Sequence, residues 1–211
     1  MKTKVLAVRA LVMAFTMAAI NPASGRSQNN HSPIPTKEIH AMKTATEIIP
    51  SASVFTTAPL RNRIRIELYA PVTDIWALVG DVSRFPEYSS GLEKVVANRD
   101  SRGVLTDYVC HFKHRGQGGE ELPHREMVRW YEANLGYISS GESDNAFGLT
   151  NDVNMVTVQP SAKGTILTWD EYYDAQDLDV RRVEYDEALT DIGDHLLRRF
   201  GGEVITRYVE R

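Results

Sequence analysis

From Arg63 to Leu68 the chain alternates strictly between polar and apolar residues, which predicts a half-buried strand with Ile64, Ile66 and Leu68 inward. Pro71 fits the first turn of a helix, where its missing amide hydrogen costs nothing. Ile75, Trp76, Leu78 and Val79 mark the apolar face of that helix. A second short helical turn is expected around residues 83–88, near Pro86. From Gly91 to Asp174 strand follows strand, at 92–98, 104–113, 123–131, 135–141, 151–159 and 164–174. These runs are rich in β-branched and aromatic residues. Turn clusters such as Arg99-Asp100-Ser101-Arg102-Gly103 and Pro160-Ser161-Ala162-Lys163-Gly164 separate them. Such short connections suit antiparallel neighbours, since parallel strands need long crossovers.

The C-terminus reads as one long helix from Asp179 to Tyr208. Tyr185, Leu189, Ile192, Leu196, Phe200 and Val204 recur at steps of three and four and form one apolar stripe. Asp177, Asp179, Glu184, Asp186 and Glu187 crowd its start, and Arg198, Arg199, Arg207 and Arg211 its later part, so both ends complement the helix dipole. Gly201-Gly202 interrupts it, at a cost of ~1 kcal/mol per glycine relative to alanine. The pair marks either a kink or helix end, or a close approach to another backbone at the mouth of a pocket.

Ahead of the patterned region the chain has a different character. Lys2, Lys4 and Arg9 precede an uncharged apolar run, Ala10 to Ile20, which is too short to span a bilayer as a helix. Asn21-Pro22 breaks the run and Ala23-Ser24-Gly25 supplies small residues. Residues 1–25 therefore read as a signal peptide cleaved after Gly25, for a periplasmic or secreted protein with no stable membrane insertion after cleavage. Residues 26–60 read as a flexible leader. They are polar at first, with Pro33 and Pro35, and contain a short apolar patch at Ile48, Ile49, Val54 and Phe55 that forms a lone strand or packs on the domain. The domain itself is expected over 61–211.

Composition narrows the function classes. The 211 residues are 42% hydrophobic and 25% charged, the balance of a globular protein. Basic residues number 24 against 28 acidic, a net charge of −4, which argues against nucleic acid as a partner. Signal cleavage removes three basic and no acidic residues and takes the charge to −7. Cys110 is the only cysteine, so no intramolecular disulfide forms, and its expected role is a small core hydrophobe.

Three stretches carry a resemblance. Residues 66–95 run strand, Ala70-Pro71 turn, apolar helix with Trp76, Asp81, Phe85-Pro86, and the next strand. Residues 164–174 open on Gly164-Thr165, and an amphipathic helix ends the chain. Over residues 61–208 the sequence resembles the START-like (SRPBCC) superfamily, in its polyketide cyclase/dehydrase and lipid-transport branch. The resemblance implies an α+β helix-grip fold. In that fold a curved seven-stranded antiparallel sheet wraps a long C-terminal helix, with two short helices after the first strand and a ligand cavity between sheet and helix. The physics agrees, because such a sheet has more concave apolar face than one helix can cover.

The expected ligand is a hydrophobic small molecule, and the candidate ligand-binding residues are Trp76, Phe85, Tyr88, Tyr108, Phe112, Arg125, Trp130 and Trp169. Alternation places Tyr108, Cys110 and Phe112 on one face of strand 104–113. On strand 123–131 neither His124, Glu126, Val128, Trp130 nor Arg125, Met127, Arg129, Tyr131 is purely apolar, and the inward face stays open. A strand without a clean apolar face can border a wet pocket, where an inward arginine would orient a carboxylate or enolate oxygen by charge-assisted hydrogen bonds, although the favoured reading of such an arginine is a solvated charge on the outer face. Asp170, Glu171 and Asp174 end the last strand, where a paired acid and base would suit proton transfer, but the favoured reading is a solvated rim. His111 and His114 are three apart and so point to opposite faces, against a zinc site. No cofactor and no metal is expected. Gly116-Gln117-Gly118-Gly119 reads as a hairpin loop, a candidate lid. No nucleophile motif and no phosphate-cradling loop occurs, and catalytic residues are not identifiable. The favoured reading is an exported binding or carrier protein for a lipid-like or aromatic molecule. The alternatives are a cyclase- or aromatase-like enzyme, or an accessory protein acting on another secreted protein, so a protein partner stays open.

Overall fold

The computed structural model describes residues 49–113, 121, 123–142 and 147–211. The expected signal peptide with its cleavage point, the leader as far as residue 48, His114 and the Gly116–Gly119 loop lie outside the described residues.

Eight strands form one sheet: β1 (Leu60–Leu68), β2 (Leu92–Arg99), β3 (Leu105–Phe112), β4 (Pro123–Glu132), β5 (Gly136–Gly141), β6 (Leu149–Pro160), β7 (Thr165–Ala175) and β8 (Gly202–Val209). Their order is β2-β3-β4-β5-β6-β7-β1-β8, and every neighbouring pair is antiparallel. Helix α1 (Val72–Val79) and a 3₁₀ turn (Val82–Glu87) follow β1, and the long helix α2 (Leu178–Phe200) joins β7 to β8. This is the expected α+β helix-grip arrangement with eight strands in place of seven.

Local chemistry sets the elements. β1 buries Ile64, Ile66 and Leu68, as its alternation requires. Pro71 caps α1 with an extended backbone, and Gly80 ends it under the Trp76 indole, where any Cβ would overlap the ring. Asp81 then caps the 3₁₀ turn, accepting from Ser83 N at 3.3 Å and Ser83 Oγ at 2.7 Å. Helix α2 buries Leu189, Ile192 and Leu196 in one core with Ile64, Ile66 and Trp169. Gly193 lets it lie close to β1, because a Cβ there would stand 2.6 Å from Ile64 Cδ1.

The C-terminus departs from the expected continuous helix. Gly201 and Gly202 adopt φ +68° and +133°, which ends α2 and turns the chain back along β1. Both expectations for the glycine pair hold in part. The helix ends there, and Gly202 packs so closely on Glu67 that a Cβ would overlap the Glu67 carbonyl oxygen. The close approach is to β1 rather than to a pocket mouth. Val204 therefore pairs with Ile66 and is exposed, outside the helical stripe. Val204, Ile205, Thr206 and Val209 are β-branched and suit a strand. Their place in the helical period is a coincidence of spacing.

The packed part of the chain also starts before Arg61. Ser51 caps a 3₁₀ turn at Ala52–Val54, Ala52 and Ala58 are buried, and Thr56 Oγ1 donates to Asn151 O at 2.5 Å.

Candidate ligand pocket

A pocket of about 110 Å³ lies between α2 and the inward faces of β3, β4, β6 and β7. Phe85, Leu92, Tyr108, Cys110, Phe112 and Trp169 form much of its apolar wall, and Leu189 and Ile192 cover it from the helix. Its polar lining is His124, Glu126, Asp152, Asn154 and Glu171.

Tyr108, Cys110 and Phe112 share one face of β3, as alternation predicts, while His111 lies on the other face beside Glu121. Tyr108 shares a hydrogen bond of 3.0 Å with Ser139 on β5. Burial pushes the Cys110 thiol far up, away from the thiolate that a nucleophile needs.

A β-bulge settles the ambiguity on β4. The register shifts between Val128 and Trp130. His124, Glu126 and Val128 turn inward before the shift, and Tyr131 turns inward after it, packing 5.7 Å from Trp76. One extra residue reverses which parity faces the core, so neither alternating set is right for the whole strand.

The sequence candidates divide accordingly. Phe85, Tyr108, Phe112 and Trp169 line the pocket. Trp76 and Tyr88 are buried in the core without lining it; Trp76 meets Tyr131 and Tyr137, and Tyr88 stacks on Phe85 at 5.0 Å. Arg125 and Trp130, like Trp76 and Tyr88, do not line the pocket. Arg125 is exposed on the other face of β4, 3.8 Å from both Asp107 and Glu142. Trp130 is carried away from the pocket by the bulge.

The expected solvated rim at the end of β7 holds at Asp174, whose side chain is 42% exposed, and is corrected at Asp170 and Glu171. Asp170 is buried under a bidentate Arg63, at 2.5 and 2.7 Å. Asp174 pairs with Arg61 at 3.1 Å. Glu171 faces into the pocket, accepting from Trp169 Nε1 at 2.8 Å.

A further correction concerns acid–base groups, for which the sequence offers no constellation. The fold assembles one from β4, β6 and β7. His124 Nε2 donates to Glu126 Oε1 at 2.8 Å and lies 3.9 Å from Asp152 Oδ2. Gly141 N donates to Asp152 Oδ2 at 3.2 Å. Burial, and then the charge of Glu126, pushes Asp152 up to about 6 against the pull of His124. Glu171 is driven well above the carboxylate range by burial and then by Glu126, with the Trp169 hydrogen bond opposing. Burial disfavours the charged form of His124. The hydrogen bond to Glu126 and the charges of Glu126 and Asp152 outweigh it and raise the ring. Chain distance hides the group, for only the two-residue spacing of His124 and Glu126 places any of its members together in the sequence.

No family model and no curated protein matches this chain. Solved structures do. A START superfamily protein from Mycobacterium smegmatis matches with a TM-score of 0.52 and 15% identity, over 67% of this chain and 97% of that one. XoxI from Bacillus cereus matches at 0.53 and 14%, over 66% and 95%. The di-domain aromatase/cyclase StfQ from the steffimycin biosynthetic pathway matches at 0.52 and 10%, over 66% of this chain and 48% of that one. At these identities the likeness is one of fold. The fold is START-like. Among the described residues no helix is long and apolar enough to cross a membrane.

Proposed function

We propose that this protein is an exported binding or carrier protein for a hydrophobic small molecule. The observation that carries this reading is the pocket between α2 and the sheet, walled by Phe85, Leu92, Phe112 and Trp169. Its volume of about 110 Å³ favours an aromatic ring, or the ring-sized end of a longer molecule, over a whole lipid chain. A cavity of ~150 Å³ lined by apolar side chains holds benzene, which sets the scale. The polar groups at one end would orient the ligand, as a few polar groups do in mostly apolar sites.

Native mass spectrometry of protein purified from its own host tests the reading. A co-purified organic molecule of low stoichiometry is expected, and an apolar fluorescent probe should compete with it. Absence of both a bound molecule and any probe binding would sink the carrier reading in favour of an accessory protein. Export is tested separately. N-terminal sequencing of protein from the periplasm or medium should start at Arg26, and an intact Met1 in a cytoplasmic fraction would overturn it.

A second reading has its own support. A histidine, Glu126, an Asp152 pushed up to about 6 and a Glu171 driven well above the carboxylate range all face one pocket, the arrangement that proton transfer needs. A cyclase- or aromatase-like reaction would use Glu171 as the acid and Asp152 or His124 as the base. Conversion of the co-purified molecule on incubation with the protein, lost in Glu171→Gln, would decide for this reading; its unchanged recovery would decide for carriage.

A further inference from the structure

The polar end of the pocket is built like a cation site. His124, Glu126 and Asp152 each bring one donor atom to a cluster whose members lie within 4.8 Å of one another. His124 and Glu126 are only 5% and 7% exposed, yet His124 Nδ1 and Glu126 Oε2 have no hydrogen-bond partner among the described residues. A buried carboxylate oxygen without a partner is costly, and such an atom lining a pocket implies something that binds there. The cluster is also closely fitted. Gly141, opposite Glu126 on β5, has no room for a Cβ, which would overlap Asp152 Oδ2 and stand 2.8 Å from His124 Cε1.

We propose that His124, Glu126 and Asp152 bind one divalent first-row transition-metal ion, zinc fitting best, with a coordination position open to the pocket. One imidazole nitrogen and two carboxylate oxygens suit zinc and its neighbours. Magnesium and calcium prefer oxygen alone, and copper(I) prefers sulfur. Three protein ligands with a vacant fourth position is the pattern of open rather than structural zinc sites. Metal–ligand lengths of about 2.0–2.2 Å in a tetrahedron place donors roughly 3.3–3.5 Å apart. The His124–Glu126 separation of 2.8 Å must open and the His124–Asp152 separation of 3.9 Å must close, each by about half an ångström, which side-chain rotation supplies, and the proton that Nε2 shares with Glu126 leaves to solvent as the metal binds. Two carboxylates against a dication leave the buried group neutral, which offsets the burial of either charge alone. An oxygen of the pocket ligand, or water, would fill the open position. The site thus goes beyond hydrophobic binding and stands separately from it.

The full chain, stripped with chelator, is titrated with zinc by calorimetry and with cobalt(II) by visible absorption. Saturable binding of one equivalent is expected, with the strong cobalt bands of a tetrahedral site. Asp152→Asn, Glu126→Gln and His124→Ala should each weaken zinc by at least ~tenfold, while Glu171→Gln leaves it within a few-fold. If His124→Ala does not fold, the two amide variants, close in shape to the originals, decide. No saturable zinc binding overturns the site. So does binding that all three substitutions leave unchanged, which would belong to other histidines such as His31 or His40. Saturable binding of an alkylammonium with none of zinc also overturns it. Probe binding by the metal-free protein is measured in parallel. A protein that binds the apolar probe but no metal keeps its pocket and loses only the metal site.

Discussion

Gly141 holds the carboxylate of Asp152 against His124. Its amide donates to Asp152 Oδ2 at 3.2 Å, and the space where a side chain would begin is filled by that oxygen and by the His124 ring. The absence of a Cβ on β5 thus lets an acid on β6 reach a histidine on β4.

Gly141→Ala should therefore disturb the His124–Asp152 cluster directly. The methyl must displace Asp152 or His124, an overpacking that costs ~1–3 kcal/mol. Denaturant melts of the two proteins measure it. A change within ~0.5 kcal/mol would mean that Asp152 moves freely and the cluster is not rigid.

Glu171 gives the pocket a pH dependence of known sign. Its folded pKa is raised above the unfolded value, which is near ~4.3. Below the unfolded value the group is protonated in both states and its contribution is fully present. Above it the unfolded chain gives up its proton while the folded protein keeps it, so stability falls as pH rises toward the folded pKa. Glu171→Gln removes this loss. Thermal melts of metal-free protein from about pH 5 to about pH 8 should show a flatter profile for the variant, and a smaller deficit, or a gain, at the alkaline end. Parallel profiles would place Glu171 in water.

Cys110 is buried, lines the pocket and sits between Tyr108 and Phe112 on the inward face of β3. Cys110→Phe should fill much of the cavity, abolish apolar-probe binding and quench the probe's effect on tryptophan emission from Trp169. Because the new ring enters existing space, the stability cost should fall below the ~1–3 kcal/mol of overpacking a filled core. A variant that melts much lower yet binds the probe as before would move the pocket elsewhere.

Gly202 is the hinge between α2 and β8. Its positive φ and its contact with the Glu67 carbonyl leave no space for a side chain. Gly202→Val should release β8 from β1 while the remaining strands stay paired. Hydrogen exchange should then show loss of protection over 203–209 and retention in β7. Unchanged protection in β8 would contradict the pairing.

Much of the architecture is legible in the sequence. The six runs from residue 92 to 174 match β2 to β7 within one or two residues at most ends, because each is short, β-rich and bounded by turn residues. Ile64, Ile66 and Leu68 and the faces of α1 follow from period alone. The resemblance over 66–95 rests on local residues, Ala70-Pro71, Trp76, Asp81 and Phe85-Pro86, whose roles are caps and core contacts.

What failed was whatever depended on a partner distant in the chain. Val204 fits a helical stripe as well as a strand, and only the vacancy beside β1, together with Gly202 against Glu67, draws it into the sheet. The inward face of β4 stayed open in the sequence because the shift after Val128 reverses the parity: Trp130 follows it away from the pocket, while Arg125 lies before it on the outward parity. The pocket chemistry lies further still from local pattern. Glu171 at the end of a strand reads as a rim residue until the sheet and α2 bury it, and Asp152 is one polar residue among several on β6. The sequence by itself determined the elements, their order and the apolar faces, since period and turn chemistry act over a few residues. Only the tertiary structure decided that His124, Glu126, Asp152 and Glu171 share one pocket. Strand register across β4, β5, β6 and β7 brings them together, and burial there raises Asp152 and Glu171.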